Sequence, residues 1–119
     1  PLELLRPRLN RQRGLRAADL EPLPGGRRVK VAGLVINRQR PGTAKGTVFM
    51  TLEDETGTHN LILWPAVMEA HRRDALAARL LLVRGELQKS QGVTHVVVQG
   101  LTDLSAWIGD LNVSSRDFH

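Results

Sequence analysis

Three segments in the first half of the chain carry the alternation expected of β-strands. They are Arg28–Arg38, Val48–Glu53 and Thr58–Leu63, each rich in β-branched or alternating apolar residues. Side chains in a strand point to opposite faces of a sheet in turn, so such alternation indicates a half-buried antiparallel sheet. A Pro-Gly pair at 41–42 and the Asp-Glu-Thr-Gly turn at 54–57 separate the segments. We therefore predict a three-stranded meander.

A helix and two more strands are predicted after the meander. Ala66–Ala78 follows a proline suited to the first helical position and carries one apolar face. Leu80–Lys89 and Val93–Leu101 read as strands joined by a short Ser-Gln-Gly turn. The resulting order, β-β-β-α-β-β, is that of the OB-fold, a five-stranded Greek-key barrel. We expect a mainly-β fold of this class, with a helix between strands 3 and 4 and short extensions at both ends.

The chain divides into a barrel and two flanking segments. Residues 1–26 are predicted to be a basic connector with a short helix within Leu15–Leu23, residues 27–103 the OB-fold domain, and residues 104–119 a C-terminal helix and tail. Pro7 would interrupt any helix in the leucine-rich start. The length suits one domain. A chain that opens on Pro1 rather than methionine also suggests a piece of a longer protein.

Composition favours a polyanionic partner. Seventeen Lys and Arg face twelve Asp and Glu, giving a net charge of +5, although a basic balance can also serve solubility alone. Cysteine is absent, which suits a cytoplasmic protein and excludes disulfides and thiolate chemistry. No apolar run is long enough to span a bilayer, so no membrane partner is expected.

One aromatic side chain in the predicted central strands is expected to point away from the core, where it could bind a ligand. If Val48, Met50 and Leu52 fill the core, then Phe49 points outward. An outward phenylalanine in mid-sheet is unfavourable unless something covers it, and a stacked nucleic-acid base would do so. The alternatives are that the phase is inverted or that a terminal segment covers the ring.

Cations and polar side chains are predicted to surround this ring. In an OB-fold, oligonucleotides lie across strands 2 and 3 between the first and last hairpin loops, and cations there would neutralise phosphates in a salt-sensitive way. Each cation taken alone reads as a solvated loop charge, and the hypothesis depends on their convergence. The candidate nucleic-acid-binding residues are Arg38, Arg40, Lys45, Thr47, Phe49, Thr51, His59 and Lys89.

No constellation of catalytic or metal-binding residues is recognised. The acids Glu53, Asp54 and Glu55 fall at a turn without the spacing of a calcium loop. The four histidines are scattered, without a second ligand at metal spacing. No phosphate-binding glycine motif or nucleophile elbow occurs. We expect no catalysis by this chain alone, no metal site and no cofactor.

Several blocks of sequence resemble one family. They are RVKVAGLVINRQRPGTAKGTVFMTLEDETG, NLILWP, ARLLLVRGELQ and the terminal SRDFH. Together they resemble the C-terminal part of bacterial error-prone DNA polymerases, the damage-induced relatives of the replicative polymerase III alpha subunit. The resemblance implies a parent nucleotidyltransferase active in translesion synthesis, DNA repair and replication, and an OB-fold that contacts the single-stranded template. It also implies a Y-family-like polymerase partner and a RecA-like accessory protein.

Two other functions remain open from the sequence. The chain could be a protein-interaction module that docks such partners through its sheet or through the tail Asn112–His119. It could also be a tRNA anticodon-binding OB domain, because synthetases use a similar strand with a stacking phenylalanine. The leading hypothesis is a non-catalytic single-stranded DNA-binding module.

Overall fold

Five strands close into a barrel in the order β1-β2-β3-β5-β4. The computed structural model describes residues 2–42 and 45–109. Neighbouring strands are antiparallel except β3 and β5, which run parallel. The strands are β1 (Arg28–Gln39), β2 (Val48–Asp54), β3 (Gly57–Leu63), β4 (Leu80–Ser90) and β5 (Val93–Asp103). The predicted five-stranded OB-fold barrel, with its helical segment between the third and fourth strands, is confirmed.

Strand β1 is long enough to pair with two neighbours and so to close the barrel. Its first half pairs with β4, and its second half pairs with β2 across an irregularity between Val35 and Asn37. A Cβ at Gly33 would lie 2.9 Å from the Glu53 carbonyl oxygen and 2.9 Å from the Leu52 Cβ. Since such contacts essentially never occur, glycine is required where β1 passes from one partner to the other.

Short helices lie before the barrel and between β3 and β4. They are a 3₁₀ turn at Leu2–Leu5, α1 (Arg6–Arg11), α2 (Ala17–Leu20), α3 (Pro65–Ala70) and α4 (Arg72–Ala77). The single helix predicted over 66–78 is therefore two, divided at His71, whose φ of −123° is not helical. Pro7 does not interrupt a helix but sits in the first turn of α1, where its missing N–H costs nothing.

Apolar side chains form two cores, one on each side of β1. The inner core fills the barrel and includes Val31, Met50 and Leu52, each at most 2% exposed. An outer cluster packs the N-terminal leucines against the opposite face of β1 and β4; its buried members are Leu2, Leu5, Leu9, Ala32, Leu80 and Leu82. In the middle of β1, Val31 and Ala32 point to opposite faces and both are fully buried, because apolar side chains cover both faces there.

After β5 the chain begins a helical turn at 106–109. Trp107 packs against the outer cluster there, with the Arg8 guanidinium 4.0 Å from its ring centroid. The tail Asn112–His119, predicted to dock a partner, lies outside the described residues. No helix in the described ranges is both long enough and apolar enough to cross a bilayer.

Candidate nucleic-acid interface

An apolar row crosses the outer surface of β2, β3 and β5. Phe49 pairs with Ile62 of β3, and Ile62 pairs with Val97 of β5, so the three side chains share one face. All three are half-buried. Val48 and Met50, on either side of Phe49 in the chain, are each only 2% exposed and face the core. The predicted outward phase of Phe49 is therefore confirmed.

A polar row runs parallel to the apolar one. Strand pairing aligns its members across four neighbouring strand pairs, and their side chains offer amide, hydroxyl and imidazole groups. From β1 to β4 the row consists of Asn37, Thr51, Asn60, His95 and Gln88. We call the apolar and polar rows together the outer face.

The loop between β1 and β2 places cations at one edge of the outer face. Arg40 and Lys45 are exposed, and neither makes an ion pair with a described residue. Positive φ angles at Lys45 (48°) and Gly46 (93°) turn the chain back into β2. Thr47, a predicted site residue, is 3% exposed, so its side chain offers little to a ligand.

Arg38 is held by the neighbouring helix. Its Nε donates to the Ala75 carbonyl oxygen at 2.7 Å, and its Nη2 donates to the Ala78 carbonyl oxygen. Carbonyls at the end of a helix lack partners within the helix, and the guanidinium satisfies two of them. The structure therefore places this predicted phosphate contact in a tie between β1 and α4.

Lys89 is held in the same way at the far end of the barrel. Its Nζ donates to the carbonyl oxygens of Leu20 and Glu21 at 3.0 and 2.6 Å. The ammonium group thereby attaches the end of α2 to β4. Of the four predicted cations, only Arg40 and Lys45 have side chains without such hydrogen bonds in the described part of the chain.

The expectation that His59 shares the outer face with Thr51 is wrong. The His59 side chain is fully buried, and its Nε2 lies 2.8 Å from Asp54 Oδ2. Strand alternation explains this position, since Leu61 and Leu63 are inward-facing and a residue two positions before Leu61 faces the same way. Burial lowers the pKa of His59, and the Asp54 hydrogen bond opposes that effect only in part.

Several residues of the outer face escaped the sequence analysis. Asn60 and Ile62 follow from the same alternation once Leu61 and Leu63 are placed inside. His95 and Val97 join them only through the parallel pairing of β3 with β5, which links segments more than thirty residues apart. Among the described residues, no three His, Asp or Glu side chains are grouped to hold a metal ion.

A family model described as an OB-fold nucleic acid binding domain matches residues 29–104. The chain belongs to this family. The matched residues span the five strands that form the closed barrel, so the family model and the structure identify the same domain. The family is named for nucleic-acid binding.

This OB-fold domain is similar over its whole length to error-prone DNA polymerases. It is 59% identical to the enzyme of Alkalilimnicola ehrlichii over 100% of the chain and 12% of that protein. It is 52% identical to the enzyme of Azoarcus sp. over 100% of the chain and 11% of that protein. The chain thus spans about a ninth of the length of these relatives, and the resemblance seen in its sequence blocks is confirmed.

Solved structures show the same fold at lower identity. Asparaginyl-tRNA synthetase from Pyrococcus horikoshii, complexed with asparaginyl-adenylate, superposes with a TM-score of 0.65 at 21% identity, covering 76% of this chain and 22% of that one. OBody AM1L10, bound to hen egg-white lysozyme, superposes with a TM-score of 0.62 at 17% identity, covering 77% of this chain and 93% of that one. At this identity the likeness concerns the fold alone.

Proposed function

We propose that this OB-fold domain binds single-stranded DNA across its outer face, as a template-contacting part of a longer error-prone DNA polymerase. The observation that carries the proposal is the outward, half-buried ring of Phe49 in a row with Ile62 and Val97. Three apolar side chains on the outside of a barrel leave a surface that a stacked base would cover.

The chemistry of the outer face suits binding of single-stranded DNA without strict sequence preference. Every base has a π-face that can stack on Phe49, whichever base it is. The polar row beside it supplies donors and acceptors to sugars and base edges, while Arg40 and Lys45 lie where phosphates would enter. Stacking contributes about 1–3 kcal/mol per base, and the cations add a salt-sensitive part.

The similarity of the whole chain to parts of DNA polymerases supports DNA over RNA as the ligand. Two relatives that match all of this chain are error-prone DNA polymerases, at 59% and 52% identity. The synthetase likeness reaches only 21% identity. The domain would hold template, and synthesis would belong to other parts of the longer protein. A Y-family-like polymerase and a RecA-like protein stay predicted partners.

Phe49→Ala tests the stacking contact. Anisotropy of a fluorescein-labelled oligo-dT should show a dissociation constant raised about tenfold, the loss of one stacked base. Phe49→Leu keeps an apolar side chain and the packing against Ile62 but removes the aromatic face, so it should lose nearly as much affinity. Affinity retained by both variants would reject the outer face.

Arg40→Gln with Lys45→Gln tests the loop cations. Repeating the titration at about 50 and 200 mM salt should show a log–log slope smaller by about 1.4, since each single-strand phosphate contact contributes about 0.7. Arg72→Gln with Arg73→Gln removes the same charge from α4 and serves as the control. Tighter binding of an anticodon stem-loop RNA than of oligo-dT would favour the RNA reading instead.

A further inference from the structure

A second basic surface lies on the barrel, away from Phe49. It is a groove of about 490 Å³ between the N-terminal connector and the β1–β4 sheet. Its lining includes Val29, Gly85 and Leu15, and Leu15 forms a β-bridge with Val31 of β1. Five cations line it: Arg13, Arg27, Arg28, Lys30 and Arg84. We call this site the basic groove.

Three distant parts of the chain supply these cations. Strand pairing sets Lys30 of β1 opposite Arg84 of β4, while Arg13 comes from the connector. Phe49 lies on β2, and the half of β1 that pairs with β2 is not the half that lines the groove. The basic groove thus lies away from Phe49, although on β5 its lining residue Gln99 stands two positions after Val97 of the outer face.

The cations of the basic groove lack the partners that other cations of this domain have. Arg6 pairs with Glu55, and Arg16 lies 3.1 Å from Asp19. In the described part of the chain, by contrast, no groove cation has a side-chain hydrogen bond or an ion pair within 4.0 Å. Glu86 stands opposite Arg28 in the β1–β4 register without forming such a pair. Clustered like charges repel, so this arrangement suits an anion that neutralises several of them together.

Gly100 leaves room for one groove cation. A Cβ built on Gly100 would lie 2.2 Å from Arg84 Nη2 and 2.9 Å from Arg84 Cζ. The guanidinium therefore occupies space that any other residue at position 100 would fill. Glycine at this point lets Arg84 lie across β5, and a Cβ there would displace the flexible end of the arginine side chain.

We propose that the basic groove binds the phosphate backbone of double-stranded DNA. Its lining contains cations, the amide of Gln99 and aliphatic carbons, but no aromatic side chain on which a base could stack. A duplex keeps its bases stacked inside and presents phosphates at one charge per about 1.7 Å of helix axis. The groove is complementary to what a duplex exposes, as the outer face is to what a single strand exposes.

Arg27→Gln with Arg84→Gln tests the groove in the 119-residue chain. Both side chains are exposed, so the fold should be retained. Binding of a fluorescein-labelled duplex should weaken about fivefold at low salt, and the log–log salt slope should fall by about 1.8, or about 0.9 for each phosphate contact. Arg72→Gln with Arg73→Gln, of equal net charge, should leave both values near those of the parent chain.

Gly100→Ala tests the positioning of Arg84 without removing any charge. It should weaken duplex binding in the parent chain but have no further effect in the Arg84→Gln background, because the displaced group is then absent. Circular dichroism and the melting temperature report whether Gly100→Ala still folds. If Gly100→Ala does not fold, duplex binding by the Arg27→Gln, Arg84→Gln variant tests the basic groove instead.

The proposals for the outer face and for the basic groove can be tested independently. Phe49→Ala should weaken binding of oligo-dT and leave binding of the duplex unchanged, whereas the groove variant should do the reverse. Duplex binding equal to that of the parent chain, or the same loss in the Arg72/Arg73 control, would overturn the basic groove. Groove-dependent binding to anionic lipid vesicles, with duplex binding unaffected, would also overturn it and assign the groove to another polyanion.

Discussion

Asp54 joins three segments of the chain through one buried carboxylate. Oδ1 accepts hydrogen bonds from the backbone N–H and hydroxyl of Thr56 and from the N–H of Gly57. Oδ2 accepts from the N–H of Ala17 and lies 2.8 Å from His59 Nε2. Burial alone would raise the pKa of Asp54, but these hydrogen bonds outweigh it and lower the pKa below 3.8. The β2–β3 turn, β3 and the connector are thereby held together.

The buried His59 predicts a pH-dependent stability. Its pKa lies below 6.5 in the folded chain because burial disfavours the imidazolium. Between the folded pKa and 6.5 the unfolded chain binds more protons, so stability is complete above 6.5 and falls as the pH is lowered through that window. Asp54, with a lowered pKa, adds a further loss only below 3.8.

His59→Gln checks this prediction, because a glutamine amide can donate to Asp54 but does not titrate. Melting temperatures should be measured from about pH 7.5 to about pH 5. The parent chain should lose stability on acidification and the variant should lose less. Parallel curves for the two proteins would show that His59 does not cause the dependence.

Strand alternation was the most informative signal at the residue scale. It predicted that Val48, Met50 and Leu52 face inward and Phe49 outward, because a period of two leaves no other choice once the core is assigned. The same rule applied back from Leu61 would have placed His59 inside. The Nδ1 atom of His59 is buried and has no hydrogen-bond partner among the described residues. The sequence alone does not predict this.

At the element scale, two cations act as ties between secondary structures. Arg38 joins β1 to the end of α4, and Lys89 joins β4 to the end of α2. In both cases the acceptors are backbone carbonyls, which every residue carries. The acceptors lie 37 and 40 residues from Arg38 and 69 and 68 residues from Lys89. No sequence pattern therefore predicts these hydrogen bonds. The strands, which hydrophobic periodicity defines, were predicted to within two residues at each end.

Arg38 and Arg40 should behave differently although they stand two positions apart. Arg38→Met removes the helix tie and should lower stability by about 1 kcal/mol, the usual net value of such hydrogen bonds. Arg40→Met should leave the melting temperature unchanged and weaken oligo-dT binding. Urea denaturation followed by circular dichroism, together with anisotropy, measures both. Equal stability of the two variants would contradict the tie.

At the scale of the whole molecule, the barrel presents two surfaces of different chemistry. The outer face combines an apolar row with a polar row, while the basic groove combines cations with aliphatic carbons. The order of elements predicted the barrel and a binding surface on strands 2 and 3, but not the part of the outer face that β4 and β5 contribute. The groove was not predicted, because Arg13, Lys30 and Arg84 converge only when β1 pairs with β4 and the connector packs beside them.

Mapping of oligo-dT onto the isotope-labelled domain by NMR tests the central claim most directly. The largest chemical-shift changes should fall on Phe49, Thr51, Asn60 and Ile62 and on the adjoining Arg40 and Lys45. The ring protons of Phe49 should shift upfield as a base stacks on them. Changes centred elsewhere on the barrel, with the Phe49 ring unaffected at saturation, would contradict the outer face as the site of single-strand binding.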